Sequence, residues 1–298
     1  MTDITYRGRF APSPTGPLHF GSLIAATASY LEARSQGGEW WLRIEDIDPP
    51  REVAGASDAI LRTLDAFGFE WDGPVTYQSQ RHGYYADALA QLRQAGLAYP
   101  CACSRKDIAQ ASPSGLYPGT CRNGLAPHQT PRAWRLRVPE EIIEFVDKIQ
   151  GPQRCDPVTE AGDFVLLRAD GYVAYQLATG FDDAEQGMTE VVRGADLLDS
   201  TPRQRLIQAL LGLPSPGYAH HPVAVTAKGE KLSKQTFAPA LNQDQASPLL
   251  YAALQFLGQA VPPELQHGAL PELWAWAREN WKLALIPQIH QEVIEIFP

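Results

Sequence analysis

Sulfur is scarce in these 298 residues: four cysteines and two methionines. Four thiols are too few to staple a chain of this length, so a disulfide scaffold is excluded. No apolar run approaches the ~18 residues of a membrane span. Residues 1–10, with Asp3, Arg7 and Arg9, lack the apolar block of a secretory signal. These absences lead to the expectation of a cytoplasmic protein. No repeat period is present, which removes solenoids and collagen-like chains. Positive charge is also short: 25 Lys and Arg against 34 Asp and Glu give a net charge of −9. Such a chain does not coat nucleic acid indiscriminately, although a local basic face stays open. What remains is ordinary globular material, 44% hydrophobic and 20% charged, enough for a full core and two modest domains.

Strand and helix signals alternate over the first hundred residues. Tyr6 to Phe10 reads as a strand, then a Pro/Ser/Gly loop leads to a helix over about 22–35. Its apolar residues Leu23, Ala26, Tyr30 and Leu31 keep helical spacing, and Gly37-Gly38 stops it. A second strand follows at 39–44, then helices near 53–67 and 84–95. That rhythm predicts a parallel sheet with crossover helices. Over 97–168 the pattern changes to a cysteine cluster, a Pro- and Gly-rich stretch and short strands near 133–138 and 164–168, as in a smaller α+β insertion. Helix and strand signals resume at 172–178, 190–193 and 202–211, and the chain after Pro239 reads as short helices at 248–257 and 271–285. The expected division is a first half of an α/β core at 1–96, an insertion at 97–168, a second half at 169–240 and a helical C-terminal region at 241–298. An open α/β sheet binds its ligand beyond the carboxyl ends of its strands.

Two segments carry the strongest chemistry. The first is Arg9-Phe10-Ala11-Pro12-Ser13-Pro14-Thr15-Gly16-Pro17-Leu18-His19-Phe20-Gly21-Ser22, where a strand ends, a rigid loop follows and a helix begins. A helix N-terminus offers free N–H groups and partial positive charge, which suits phosphate. Gly16 and Gly21 would let the backbone approach a ligand, and His19 can donate to a phosphoryl oxygen. The same string also suits a Pro-rich connection whose glycines serve tight turns. The second is Lys228-Gly229-Glu230-Lys231-Leu232-Ser233-Lys234-Gln235, which concentrates three of only six lysines. Alone it reads as a solvated loop. Beside the first motif it reads as mobile cations for charge developing in phosphoryl or nucleotidyl transfer.

Three of the four cysteines, Cys101, Cys103 and Cys121, crowd together. In a reducing compartment this suits tetrahedral zinc, although three free thiols would share the spacing. The fourth ligand is open, because no His lies between them and the nearest after Cys121 is His128. Cys155 stands apart. Arg122, Arg132, Arg135 and Arg137, with Trp134 among them, make the insertion locally basic, and an RNA backbone is a slightly favoured partner over plain solvent.

The first two motifs together resemble the signature motifs of class I aminoacyl-tRNA synthetases: the His-x-Gly-His type at 19–22 and the Lys-Met-Ser-Lys-Ser type at 231–235. The string from Arg9 to Gly21, Leu42-Arg43-Ile44-Glu45-Asp46-Ile47-Asp48, and Arg193-Gly194-Ala195-Asp196-Leu197-Leu198-Asp199-Ser200-Thr201 resemble the glutamyl branch in particular. The likeness spans roughly residues 7–240. Ser22 stands where the class often has a second His, and Gln235 replaces the last Ser. The resemblance implies a Rossmann-like α/β core with a zinc-bearing insertion, and an ATP-dependent ligase acting on L-glutamate. It implies catalytic roles for His19, Lys231 and Lys234, and an ATP site at Gly16, His19, Gly21, Lys231 and Lys234 with Mg2+. It places glutamate at Arg9, Phe10, Ala11, Pro12, Ser13, Glu45, Tyr175 and Arg193, with Glu45 on the ammonium and the arginines on carboxylate. Arginine suits planar bidentate recognition of carboxylate. In an anonymous sequence Glu45 would instead pair with Arg43 at the surface, and Arg193 would be a strand-end charge. Asp182 and Asp183 are read as positioning residues near the amino acid and ribose. Tyr117, four residues before Cys121, matches a family position that completes a closed and therefore structural zinc site.

Only 64 residues follow Lys234, too few for the large anticodon-binding domains of that branch. The expectation is a stand-alone paralogue of the catalytic core, monomeric, that transfers glutamate to queuosine in the anticodon of tRNA(Asp). The alternatives are a minimal enzyme charging a tRNA 3′ end and a relict zinc-containing RNA-binding module.

Overall fold

The computed structural model describes residues 5–227, 229, 231 and 239–294. Strand β1 (Arg7–Phe10), helix α1 (Phe20–Ser35), strand β2 (Glu39–Ile44), helix α2 (Ala56–Ala66), strand β3 (Thr76–Tyr77) and helix α3 (His82–Gln94) keep the expected alternation. The middle of the chain supplies β4 (Ala98–Cys101), α4 (Arg105–Ala111), β5 (Ala133–Leu136), β6 (Ile143–Asp147), β7 (Gly151–Cys155) and β8 (Val165–Leu167). Then come α5 (Tyr175–Glu185), β9 (Glu190–Gly194), α6 (Thr201–Leu210), β10 (Gly217–His221) and β11 (Val223–Val225), followed by α7 (Ala246–Phe256), α8 (Leu270–Asn280) and β12 (Gln291–Val293).

β1, β2 and β3 form one parallel sheet, with Phe10 opposite Leu42 and Ile44 opposite Tyr77. β9 and β10 run parallel in a second, which β6 joins through Tyr218 opposite Asp147. The two sheets meet where β1 lies beside β9. There the Thr189 N–H donates to the Arg7 carbonyl at 2.9 Å, and the Arg7 N–H donates to Thr189 Oγ1 at 2.8 Å. The chain therefore winds outward from β1 to β3, returns beside β1 as β9, and winds outward the other way. That reversal is a topological switch point, the place where open α/β sheets bind ligands.

Three elements depart from the sequence reading. The β6–β7 hairpin, antiparallel with Ile143 opposite Cys155, reaches the core sheet through β10. β12 adds a parallel strand to β11 in a region read as helical. Both pairings join segments far apart along the chain, which local periodicity does not report. Helix α1 begins two residues earlier than its apolar spacing suggests, because His19 caps it.

α1 is buried from Leu23 to Ala33 on nearly every side, including Thr27, Ser29 and Glu32. Around Tyr30 pack Trp40, Phe69 and Trp274 at centroid distances of 5.1, 5.4 and 5.1 Å, all edge-on. Edge-to-face contacts of this kind add to the large area each ring buries. The indole donors are satisfied: Trp40 on Ser29 Oγ, Trp274 on the Phe67 carbonyl, and Trp281 on Glu32 Oε2. The C-terminal helices thus share one core with the first half of the sheet.

Gly258 closes α7 with φ +71, and a Cβ there would lie 2.2 Å from the Leu285 carbonyl oxygen. Gly258→Ala meets both backbone strain and a clash with main chain. It is expected to cost about 2 kcal/mol or more. Thermal denaturation should show Tm lowered by roughly 4 °C or more for a domain of this size; an unchanged Tm refutes this reading.

Candidate active site

A cleft of about 700 Å3 opens at the carboxyl ends of β1 and β9, the switch point of the sheet. Arg9, Phe10, Ala11, Pro12, Ser13, His19, Gly21, Glu45, Tyr175, Arg193 and Lys231 all line it. These positions are spread over most of the chain, and the topology brings them to one place. Gly16 is not on the wall. It is buried behind the loop with φ 135, a conformation that side chains avoid, so its role is in the backbone path. Lys228, Lys234 and Gln235 lie outside the described residues.

Charge at the floor of the cleft is arranged in a closed network. Arg9 is bidentate to Asp183, both contacts at 3.1 Å. Arg43 donates to Asp183 Oδ1 at 2.7 Å and to Glu45 Oε1 at 3.3 Å, and Thr179 donates to that same Oε1 at 3.0 Å. All four charged groups are buried. Tyr175, Thr179 and Asp183 stand at i, i+4 and i+8 on α5, so one helix face delivers all three. The Glu45–Arg43 pair, weighed as a surface alternative to a binding role, is present but buried. Asp183 binds both Arg9 and Arg43, whereas Asp182 accepts from Gln78, Arg81 and Tyr85 and stands 3.9 Å from Arg43 Nε.

Burial pushes the Glu45 carboxyl up, against the pull of Arg43 and Arg9. Asp183 is also desolvated, but Arg9 and Arg43 together hold it well below the usual carboxylate range. Desolvation raises the Tyr175 hydroxyl, keeping it a neutral donor at the mouth of α5. His221, buried on the cleft wall, donates from Nδ1 to the Pro222 carbonyl and is pushed down to about 4 by burial.

Arg193 sits differently from Arg9 and Arg43. Its Nε donates to His220 Nε2 at 3.0 Å, and its Nη2 donates to Thr201 Oγ1 at 2.8 Å. Among the described residues no carboxylate lies within ion-pair distance of it, and its buried Nη1 has no hydrogen-bond partner. A desolvated guanidinium on the wall of a cleft, with a donor unused, can receive an anion. His220, Thr201, Thr179 and Arg43 are the residues that sequence reasoning missed. The i+4 step from Tyr175 could have located Thr179; His220 carries no local signal.

The opposite end of the cleft is the N-terminus of α1. His19 Nδ1 accepts from the Ser22 N–H at 3.2 Å, and Ser22 Oγ accepts from the His19 N–H at 3.4 Å. Ser22, where a second His was expected from the resemblance, therefore completes a capping box. Accepting at Nδ1 puts the neutral ring's proton on Nε2, a donor. Lys231 pairs with Asp196, and Ala240 bridges His19.

In the 97–168 segment, Cys101, Cys103 and Cys121 place their sulfurs within 4.8 Å of one another. The Tyr117 hydroxyl is 3.4 Å from Cys101 Sγ and 3.7 Å from Cys103 Sγ, and accepts from the Cys121 N–H at 2.8 Å. Bonds of about 2.3 Å to a tetrahedral metal would space sulfurs roughly 3.8 Å apart, and Cys103 and Cys121 stand 3.6 Å apart. The donor set fits such an ion. The basic cluster is divided: Arg132 is exposed and Arg122 and Arg137 are half-buried, whereas Arg135 turns inward. Arg135 is buried with its guanidinium 3.9 Å above the Tyr117 ring and donates to Cys101 Sγ at 3.3 Å. Arg122 donates to the Val138 carbonyl, Arg137 donates to the Arg122 carbonyl and covers Tyr99, and Trp134 stacks under Arg93.

A sign follows for Glu45. A carboxyl whose folded pKa exceeds its unfolded value adds stability below the unfolded value and loses it as pH rises through the folded one. At neutral pH the ionised side chain is therefore held at a cost. Gln can keep both bonds made by Oε1. Glu45→Gln is expected to leave Tm at pH 7 unchanged or higher; a Tm lowered by several degrees would show the charge to be structural.

Residues 5–252 match the family of tRNA synthetases class I (E and Q), catalytic domain. The chain is 60% identical over 289 residues to the glutamyl-Q tRNA(Asp) synthetase of Dechloromonas aromatica (strain RCB), covering 95% of this chain and 96% of that one. It is 58% identical over 291 residues to the protein of that name from Chromobacterium violaceum, covering 96% and 97%. The fold superimposes on a crystal structure of glutamate-tRNA synthetase from Elizabethkingia anophelis with a TM-score of 0.81 at 26% identity, over 98% of this chain and 68% of that one. The chain belongs to the class I tRNA synthetases, in the glutamyl-Q tRNA(Asp) synthetase family.

Proposed function

We propose that the cleft activates L-glutamate with Mg-ATP and that the glutamyl group passes to queuosine in the anticodon of tRNA(Asp). The observation that carries the substrate is Arg193, a buried guanidinium with no carboxylate partner among the described residues and one unused donor. The side-chain carboxylate of glutamate supplies the missing charge, and Tyr175 stands beside it. Glutamine would leave that charge desolvated and unpaired, which disfavours it. Glu45 takes the substrate ammonium, with Arg43 and Thr179 holding its other oxygen. Arg9 to Ser13 form the adjoining wall.

In the first step an α-carboxylate oxygen attacks the α-phosphorus of ATP, and pyrophosphate leaves. His19, donating from Nε2, and the amides at the start of α1 face the charge that develops, and Lys231 and Lys234 bring mobile cations to it. In the second step an acceptor hydroxyl attacks the acyl carbon of glutamyl-adenylate, and AMP leaves. Glu45→Gln puts an amide where the ammonium needs an anion. It should lower glutamate-dependent ATP–pyrophosphate exchange by about 100-fold or more.

Both steps serve a tRNA 3′ end as readily as a modified base, and the names of the closely related proteins favour the base. Purified tRNA(Asp) with queuosine, tRNA(Asp) without it, and tRNA(Glu) are each incubated with labelled glutamate and ATP, then digested. Label is expected on queuosine of the first alone. Label on the terminal adenosine of tRNA(Glu) would move the reading to the minimal glutamyl-tRNA synthetase.

Cys101, Cys103, Cys121 and Tyr117 would hold one zinc ion per chain. With all four positions filled by the protein, its contribution is folding energy for the 97–168 segment. Elemental analysis should find one zinc, and chelation should loosen that segment before the α/β core. Tyr117→Phe should weaken retention. Zinc-free purified protein with all thiols titratable refutes the site; full retention by Tyr117→Phe refutes the oxygen ligand alone.

A further inference from the structure

We infer that Asp147 and His220 are positioning residues for the glutamate-recognising Arg193, acting by fixing the tautomer of His220; this rests on the reading of Arg193 given above. Asp147 is on β6, in the hairpin that joins the core sheet only through β10, and both its oxygens are committed. Oδ1 accepts from the backbone N–H groups of Ile149, Gln150 and His220 at 3.0, 2.8 and 3.1 Å. Oδ2 meets His220 Nδ1 at 2.6 Å. Asp147 is fully buried, and so is His220.

The direction of each proton follows from the partners. Arg193 Nε can only donate, so His220 Nε2 must accept there. Thr201 Oγ1, which itself accepts from Arg193, lies 3.2 Å from the same nitrogen. A carboxylate can only accept, so Nδ1 must carry the proton. His220 is therefore neutral, protonated on Nδ1. The groups facing it agree: Asp147 from β6, Arg193 from β9 and Arg9 from β1, with His221 next to it and Tyr218 stacked at 6.0 Å. Burial, with the positive charge of Arg193 and Arg9, outweighs Asp147 and pushes the imidazole down to about 4.

This arrangement does two things that a carboxylate in place of the imidazole would not. It anchors Nε of Arg193 through an acceptor that carries no charge, so the guanidinium stays uncompensated for the substrate. It also leaves Nη1, which has no hydrogen-bond partner, for the ligand. A carboxylate at this position would fill the anion site from within. Gln150 ties the same corner down, donating to the His220 carbonyl at 2.8 Å.

Asp147→Asn tests the inference with almost no change of shape. The three backbone donors keep the amide oxygen at the Oδ1 position, which turns the NH2 toward His220 Nδ1. The ring must then accept at Nδ1 and carry its proton on Nε2, where it meets the Arg193 N–H donor to donor. Wild-type protein with 15N-histidine should show His220 protonated on Nδ1 at pH 7, assigned among seven histidines by the signal lost in His220→Gln. Asp147→Asn should show it protonated on Nε2.

In ATP–pyrophosphate exchange, Asp147→Asn should raise the glutamate KM by roughly 10- to 100-fold, the scale of one hydrogen bond to a charged group. The ATP KM should stay within about twofold of wild type, because neither residue reaches the nucleotide end. His220→Gln, which can offer a carbonyl to Arg193, should retain lower glutamate KM than His220→Leu, which cannot. That pair decides the matter if Asp147→Asn fails to fold. A wild-type His220 protonated on Nε2, an unchanged glutamate KM in Asp147→Asn, or equal losses in the two His220 variants overturns the inference. If the wild type shows no glutamate-dependent exchange, the substrate reading fails, and the tautomer measurement still decides whether Asp147 sets the ring.

Discussion

Four charges with almost no access to water, Arg9, Arg43, Glu45 and Asp183, sit where β1, β2 and α5 converge. Two are positive and two negative, so the set is neutral, and each guanidinium finds a carboxylate. The desolvation of such groups costs several kcal/mol apiece unless the geometry is good, and leaving a buried guanidinium with no carboxylate at all typically destabilises by about 3–5 kcal/mol. Asp183 is the member on which the others depend, since it answers both arginines. Its strongly lowered carboxyl shows that the attraction of the two arginines prevails over burial. The carboxyl ends of the strands are therefore locked together by a set of which Arg9 and Glu45 also line the cleft.

The neutrality of that set gives Arg193 its meaning. Two arginines in the cleft are already satisfied and contribute shape and potential more than affinity. The third leans on His220, Thr201 and the Leu197 carbonyl, all uncharged. Glu45 is the mirror case: Oε1 is bound by Arg43 and Thr179, while burial raises its pKa and makes an arriving cation welcome. A zwitterion with a second carboxylate meets one under-compensated anion and one under-compensated cation across a single cleft. Under the proposed reading, selection between glutamate and its amide becomes a matter of whether the Arg193 charge is neutralised.

Much of this was legible in the sequence, for identifiable reasons. The β1–α1 loop and the cysteine cluster lie in short motifs whose residue types and spacing are themselves the signal, whereas Glu45, Tyr175 and Arg193 came from the family resemblance. The parallel sheet with crossover helices followed from strand and helix periodicity. What escaped the reading has a common feature: its partners are far apart along the chain. Asp147 and His220 meet across parallel strands, β12 joins β11, and Arg43 reaches Asp183. None of these leaves a local pattern. The arginines of 122–137 divide in a way their local density does not report: Arg132 is exposed, while Arg135 is buried over Tyr117 and Arg137 covers Tyr99 as packing material.

The C-terminal helices bear on the chemistry through α1. A helix buried on nearly all sides cannot shift to follow a ligand, and α1 is held so by α7, α8 and the aromatic cluster at Tyr30. Its two buried polar residues with long-range partners, Ser29 and Glu32, are bound by Trp40 and Trp281, one from each end of the chain. The N-terminus of α1 carries His19 and Gly21 into the cleft, and its amides and dipole act only as well as they are aimed. Arg278 reaches the Tyr30 hydroxyl from α8, adding a polar tie to the apolar one. Residues that never approach the cleft thus set the position of the phosphate-facing end within it, much as Asp147, from the far hairpin, sets the guanidinium at the other.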